Sequence, residues 1–201
     1  RKARKVVVEV NTLTPWCLGG LDETIHISQV DMVVEGPNSR LVQLPELEAS
    51  EADRIIANHV MGLLEDGSTI QLGIGALPNI VGAMIARSGL KDLGVHTEML
   101  ADSYVDMYEA GRITGKHKGI DRGKMVYTFA LGSQKLYDFL DNNHVAAIFP
   151  VSYTNDPNVI GSNPKVIAIN NAIEVDLFSQ VASESSGARQ ISGTGGQLAR
   201  E

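Results

Sequence analysis

The chain has 201 residues, 43% of them hydrophobic and 20% charged, with a formal net charge of −7. That is enough apolar chain for one large or two small domains with a real core, and it excludes disordered and collagen-like classes. The acidic balance argues against broad binding to nucleic acid or an anionic membrane, though it leaves room for one local cationic pocket for a phosphate.

Arg1 to Lys5 is a basic run that leads into Val6-Val7-Val8-Glu9-Val10, which reads as a strand. The apolar stretch is too short and too β-branched for a targeting segment. No apolar run approaches the roughly 18 residues needed to cross a bilayer. A single cysteine, Cys17, lies in the loop around Pro15-Trp16. It excludes an intrachain disulfide framework and makes a reducing compartment, the cytoplasm, the simple default. Ile25-His26-Ile27 and Met32-Val33-Val34 read as further strands. Pro37, Pro45 and the polar residues between them read as a linker, with a boundary near residue 48 that separates 1–48 from 49–201.

Beyond that boundary Ser50-Glu51-Ala52-Asp53 resembles a capping box. It opens a helix carrying Ile55, Ile56, Val60, Leu63 and Leu64, which Gly67 ends. The strand Ile70-Gln71-Leu72 runs into Gly73-Ile74-Gly75, and the helix after Pro78 places Ile80, Val81, Met84 and Ile85 on one face. Val95-His96-Thr97-Glu98, Val126-Tyr127-Thr128-Phe129 and Ala146-Ala147-Ile148-Phe149 are the next strands. Helices carrying Val105, Met107 and Tyr108, then Leu136, Tyr137 and Leu140, fall between them. This alternation predicts an α/β fold with a mainly parallel sheet flanked by helices. Val166-Ile167-Ala168-Ile169, Ala172 to Leu177 and Gln180-Val181-Ala182 follow with no helix between them, and read as an antiparallel meander joined to the sheet.

Three features could carry chemistry. Gly73-Ile74-Gly75-Ala76-Leu77-Pro78 sits between a strand and a helix, where backbone N–H groups can approach an anion or a carbonyl oxygen. It lacks the lysine of a Walker loop and the third glycine of a dinucleotide fingerprint, and a plain tight turn explains it equally well. Gly193-Thr194-Gly195-Gly196 can form a nest of N–H donors, or be an ordinary loop. Glu98 falls at the carboxyl end of a strand, where ligands of α/β sheets collect. A carboxylate there can be a nucleophile, a base or a helix cap, and Asp102 is a candidate cap for the following helix. The five histidines are scattered without metal-ligand spacing, so no metal site is expected.

Together these pieces resemble the acetyl-CoA hydrolase/transferase family, nearest its butyryl-CoA:acetate and 4-hydroxybutyrate CoA-transferase branches. Leu93-Gly94-Val95-His96-Thr97-Glu98-Met99 is similar to the family's glutamate segment. Gln71 to Pro78 is similar to its first glycine loop, and Ile191 to Gln197 to its second. Shorter matches include Tyr108-Glu109-Ala110-Gly111 and Asn170-Asn171-Ala172-Ile173-Glu174-Val175-Asp176. After Gln197 the family usually continues with an apolar residue, Asp and an aromatic, whereas this chain reads Leu198-Ala199-Arg200-Glu201.

The resemblance implies two related α/β domains in a longer protein, with 1–48 closing the first and 49–201 holding much of the second. It implies that Glu98 is the nucleophile and that the substrates are an acyl-CoA thioester and a small carboxylic acid such as acetate. Gly73, Ile74, Gly75, Ala76, Leu77 and Gly195 would line the thioester end, and Ala172 would contact pantetheine. It further implies a homo-oligomer with no permanently bound cofactor, no nucleic acid and no membrane partner. An acyl-CoA hydrolase would use the same residues, with water as acceptor. A piece of the enzyme that binds CoA without turnover is the remaining alternative.

Overall fold

The structure, a computed structural model, describes residues 3–45, 48–193 and 195. Thr194 and Gly196 of the second glycine loop, and the departure at Leu198 to Glu201, lie outside the described residues. The chain opens with β1 (Val7–Val10) and β2 (Met32–Glu35), which pair in parallel. Ile25-His26-Ile27 is not a strand. Ile27–Gln29 forms a short 3₁₀ turn instead, because the His26 ring caps Ser28, accepting from its N–H at 3.2 Å. The segment read as a linker docks on later elements, with Tyr137 Oη donating to Val42 O (2.5 Å) and Leu44 N–H to Gly132 O (3.2 Å).

Helix α1 (Glu51–Met61) starts with the expected capping box: Asp53 N–H donates to Ser50 Oγ (3.1 Å), and Ser50 N–H to the Asp53 carboxylate (2.9 Å). Its buried stripe differs from the expected one. Ala57, Val60, Met61 and Leu64 face the core, and this spacing leaves Ile55, Ile56 and Leu63 exposed. The helix also stops at Gly62 rather than Gly67.

The remaining elements in chain order are β3 (Thr69–Leu72), α2 (Ala76–Arg87), β4 (Gly94–His96), β5 (Met99–Leu100) and α3 (Asp102–Glu109). Then come β6 (Met125–Tyr127), β7 (Phe129–Ala130), α4 (Gln134–Leu140), β8 (Ala146–Ile148), α5 (Val151–Thr154), α6 (Pro157–Gly161) and β9 (Val166–Ile169). Five of the strands form one parallel sheet in the order β8-β6-β4-β3-β9, as the alternation predicts. Val166–Ile169 therefore belongs to this sheet rather than to a meander, since α5 and α6 carry the chain back to the free side of β3. The antiparallel part is confined to two ribbons, β10 (Glu174–Val175) with β11 (Val181–Ala182) and β12 (Ser185–Ser186) with β13 (Arg189–Gln190). No helix among the described residues is long and apolar enough to cross a membrane.

The two faces of the sheet differ. Ile70, Leu72, Val95, Met125 and Tyr127 point into the main apolar core beneath α1, α2, α3 and α4. The alternate residues Thr69, Gln71 and His96 are polar and nevertheless buried. At the amino end of the same sheet Lys118 is fully buried, its ammonium donating to Lys124 O (3.0 Å) and its stem filling the space that a side chain at Gly94 would need. Burial lowers its pKa to about 8, against a smaller opposite effect of Asp121. The folded chain thus releases this proton near pH 8, while the unfolded chain holds it to about pH 10.4. The unfolded state binds more protons in that window, so stability rises with pH across it, by about 3 kcal/mol in total. Unfolding by denaturant from about pH 8 to about pH 10.5 should show this rise relative to Lys118→Met, in which it is absent. A wild-type-minus-variant difference that does not change with pH contradicts the assignment.

Candidate active site

Chain order reverses beside β3. Successive strands step from β3 through β4 and β6 to β8, and the last, β9, returns to the opposite flank. In open α/β sheets the crevice at such a switch point, outside the carboxyl ends of the strands, is the usual ligand position. The pairings along β3 differ on its two flanks. On the β9 side they run to Leu72↔Ile169 and continue with Gly73 N–H to Ile169 O (3.3 Å). On the β4 side they stop at Ile70↔Val95, and the Leu72 N–H is taken instead by the Tyr104 hydroxyl of α3 (2.6 Å).

Glu98 stands on the far side of that parting. Both β4 and β6 break in the same row, and their continuations β5 and β7 pair separately. Glu98 occupies the break, its carbonyl accepting from Thr128 N–H (2.9 Å) and Phe129 N–H (3.2 Å). The backbone is thereby fixed while the side chain remains half-buried. The carboxylate accepts one bond from Asn155 Nδ2 at 2.9 Å, and among the described residues no lysine or arginine forms an ion pair with it. Asn155 follows α5, and the last residue of that helix, Thr154, accepts at its carbonyl from His96 Nε2 (2.9 Å). A buried histidine two residues before Glu98, on the same face, therefore anchors the turn that holds the glutamate.

The first glycine loop follows β3 directly. Gly75 adopts φ +113°, a conformation that disfavours any side chain, and starts α2 without a side-chain cap. Gly73 and Ile74 line a 260 Å³ cleft together with Gly193 and Gly195 of the second loop, so the structure brings the two glycine segments together across one space. Ile74 and Gly75 also border a 550 Å³ cavity between α2 and α3, whose wall includes Leu44 and Ser103. Ala76 and Leu77 form the first turn of α2, and Leu77 packs on the core. Ala172 is exposed and does not line the cleft, where Asn170 and Asn171 stand instead. Nor does Glu98 line the 260 Å³ cleft; it follows the carboxyl end of β4, on the flank of β3 opposite β9.

Two residues beyond those singled out from the sequence enter the site. Asn155 was hidden because its partner lies 57 positions away. Glu184 accepts from Gly195 N–H at 3.1 Å and so places a carboxylate on one donor of the second nest. Asp102, read as a cap for its own helix, is the first residue of α3 and instead holds Ser133, the residue before α4, accepting from its N–H (2.8 Å) and Oγ (2.6 Å).

Comparison with known proteins places this arrangement. The family model for the acetyl-CoA hydrolase/transferase N-terminal domain matches residues 1–45, and that for the C-terminal domain matches 132–199. The butyryl-CoA:acetate CoA-transferase of Anaerostipes caccae is 51% identical over 198 residues, covering 98% of this chain and 44% of the relative. The 4-hydroxybutyrate coenzyme A transferase of Clostridium kluyveri is 41% identical over 196 residues, with the same coverage. A crystal structure of 4-hydroxybutyrate CoA-transferase from Porphyromonas gingivalis superposes with a TM-score of 0.81 at 39% identity, covering 88% of this chain and 44% of that one. The chain thus spans less than half the length of these relatives. Matched by both domain models and 41–51% identical to these relatives over 98% of its length, the chain belongs to the acetyl-CoA hydrolase/transferase family.

Proposed function

We propose that the protein to which this chain belongs is a CoA-transferase that moves CoA between a short-chain acyl-CoA and a carboxylic acid such as acetate, with Glu98 as nucleophile. The observation that carries the reading is the Glu98 carboxylate at the carboxyl edge of the sheet, oriented by a neutral amide rather than neutralised by a cation. In the first step the carboxylate adds to the thioester carbonyl, and CoA leaves as thiolate, giving an acyl-glutamyl anhydride. The thiolate then adds to the glutamyl carbonyl and expels the acyl group as a carboxylate, leaving a glutamyl-CoA thioester. The acceptor acid runs the two steps in reverse. The covalent link preserves the thioester's free energy for the acceptor.

Each addition builds negative charge on a carbonyl oxygen, which preformed N–H donors stabilise. Gly73, Ile74, Gly75, Ala76 and Leu77 on one side, and Gly195 on the other, are our candidates for that cradle and for CoA contact. Ala172 is assigned to pantetheine on the resemblance alone. We assign residues 1–48 to the end of the N-terminal domain and 49–201 to the C-terminal domain. The reading includes a homo-oligomer in the cytoplasm, a reducing compartment that keeps the leaving thiolate of CoA available for the second step.

Two experiments test it, both in the full-length enzyme. Borohydride reduction after incubation with acyl-CoA, followed by peptide mass spectrometry, should find the modified residue at Glu98, and Glu98→Gln should lose label exchange between acetate and acyl-CoA by about 10³-fold or more. Modification elsewhere, or exchange that survives in Glu98→Gln, removes the residue from its role. Release of free CoA without acceptor in place of exchange would assign a hydrolase. Asn155→Ala should lower kcat by about 10- to 100-fold, the worth of a hydrogen bond to a charged group, with little change in KM for acyl-CoA. An unchanged kcat would show that the amide does not position the nucleophile.

A further inference from the structure

His96 is the last residue of β4, and it is only 2% exposed. An imidazole buried in a central strand costs free energy unless it serves a partner. Its Nε2 lies 2.9 Å from the Thr154 carbonyl oxygen. That oxygen can only accept, so Nε2 carries the proton of this bond. Thr154 closes the four-residue helix α5 and is the buried residue of that helix. A carbonyl at a helix end has no partner within its own helix, and here the histidine supplies one.

The next residue, Asn155, is fixed between two short helices. Its N–H donates to Val151 O (3.0 Å), and the Asp156 side chain after it caps α6 by accepting from Asn158 N–H (2.8 Å). Its own amide reaches the Glu98 carboxylate at 2.9 Å. The four residues therefore form a closed ring. His96 and Glu98 are neighbours in one segment, Thr154 and Asn155 in the other, and two hydrogen bonds of 2.9 Å join the segments across 58 and 57 positions. The second tether of α5 is looser: Tyr153, half-buried, stacks on Phe149 at 4.4 Å and donates to Asp121 (2.9 Å). The buried bond from His96 is the one adjoining the amide that touches the glutamate.

We infer that His96 is a positioning residue for the nucleophile: its Nε2–H holds the Thr154 carbonyl and thereby sets where Asn155 presents its amide to Glu98. This rests on the proposed transferase reading. The histidine moves no proton and touches no substrate. It acts through geometry, where a displacement of about 1 Å can cost about 10²-fold in rate. Because it acts only through Asn155, its effect cannot exceed that of removing Asn155.

The test uses the full-length enzyme and steady-state transfer from acyl-CoA to acetate, with thermal unfolding as the check on folding. His96→Phe, which fills the space without a donor, should lower kcat by about 10-fold, with KM for acyl-CoA nearly unchanged. His96→Met, flexible and equally without an N–H, gives the same readout if the phenyl ring prevents folding. His96→Gln, whose amide still donates to Thr154, should recover most of the loss. In the Asn155→Ala background the same His96 substitution should change kcat by less than about 2-fold, because the residue through which it acts is gone. A normal kcat in the variants without a donor overturns the inference. So does an effect confined to KM, an equally deep loss in His96→Gln, or the full loss persisting in the Asn155→Ala background. Borohydride labelling of Glu98 in the wild type separates these outcomes from failure of the wider reading: with labelling present they concern His96 alone, whereas none in the wild type removes the mechanism itself.

Discussion

The parting of β3 from β4 is the constraint on which the site depends. A parallel sheet with helices on its faces normally satisfies every backbone group along its strands. Here the pairing beyond Ile70↔Val95 is given up, and a tyrosine hydroxyl from α3 takes over the Leu72 N–H. The chain thereby parts the two strands at their carboxyl ends, on the flank of β3 away from β9, without leaving that buried donor unpaired. The first glycine loop, Asn170 and the second glycine segment line the cleft on the β9 flank of β3, and Glu98 follows the end of β4 on the other flank.

The strands next to the crevice are broken in a coordinated way. A single break in β4 would leave Glu98 on a free loop. The matching break in β6 supplies two N–H groups to the Glu98 carbonyl, so the backbone of the proposed nucleophile is held while its side chain has one neutral donor. A lysine or arginine in place of Asn155 would hold the carboxylate more tightly and make it a poorer nucleophile. The polar face of the sheet provides the supports. His96 fixes the turn that carries Asn155, and Gln71 reaches Asn170.

Local pattern in the sequence was enough for the capping box at Ser50, the strand–helix alternation and the position of Glu98 at a strand end. It failed where distant segments decide. Ile55 and Ile56 look like core by hydrophobicity, yet the stripe from Ala57 to Leu64 is the one that meets α2. Val166–Ile169 looks like the start of a meander, because the two short helices before it carry little apolar periodicity. Asp102 has the identity of a cap but binds Ser133, 31 residues later, at the entry to α4. Gln71 and His96 read only as members of strands, because their partners Asn170 and Thr154 are 99 and 58 positions away. The family resemblance pointed to the glutamate and the glycine loops; the side chains that support them became visible only with the fold.

The most direct test of the central claim is a crystal structure of the full-length enzyme after incubation with acyl-CoA and no acceptor. The account predicts continuous density from the Glu98 side chain to the sulfur of CoA, with the glutamyl carbonyl oxygen lodged between the two glycine loops. A turned-over sample in which Glu98 is unmodified, with the CoA sulfur seated against another side chain, would contradict it.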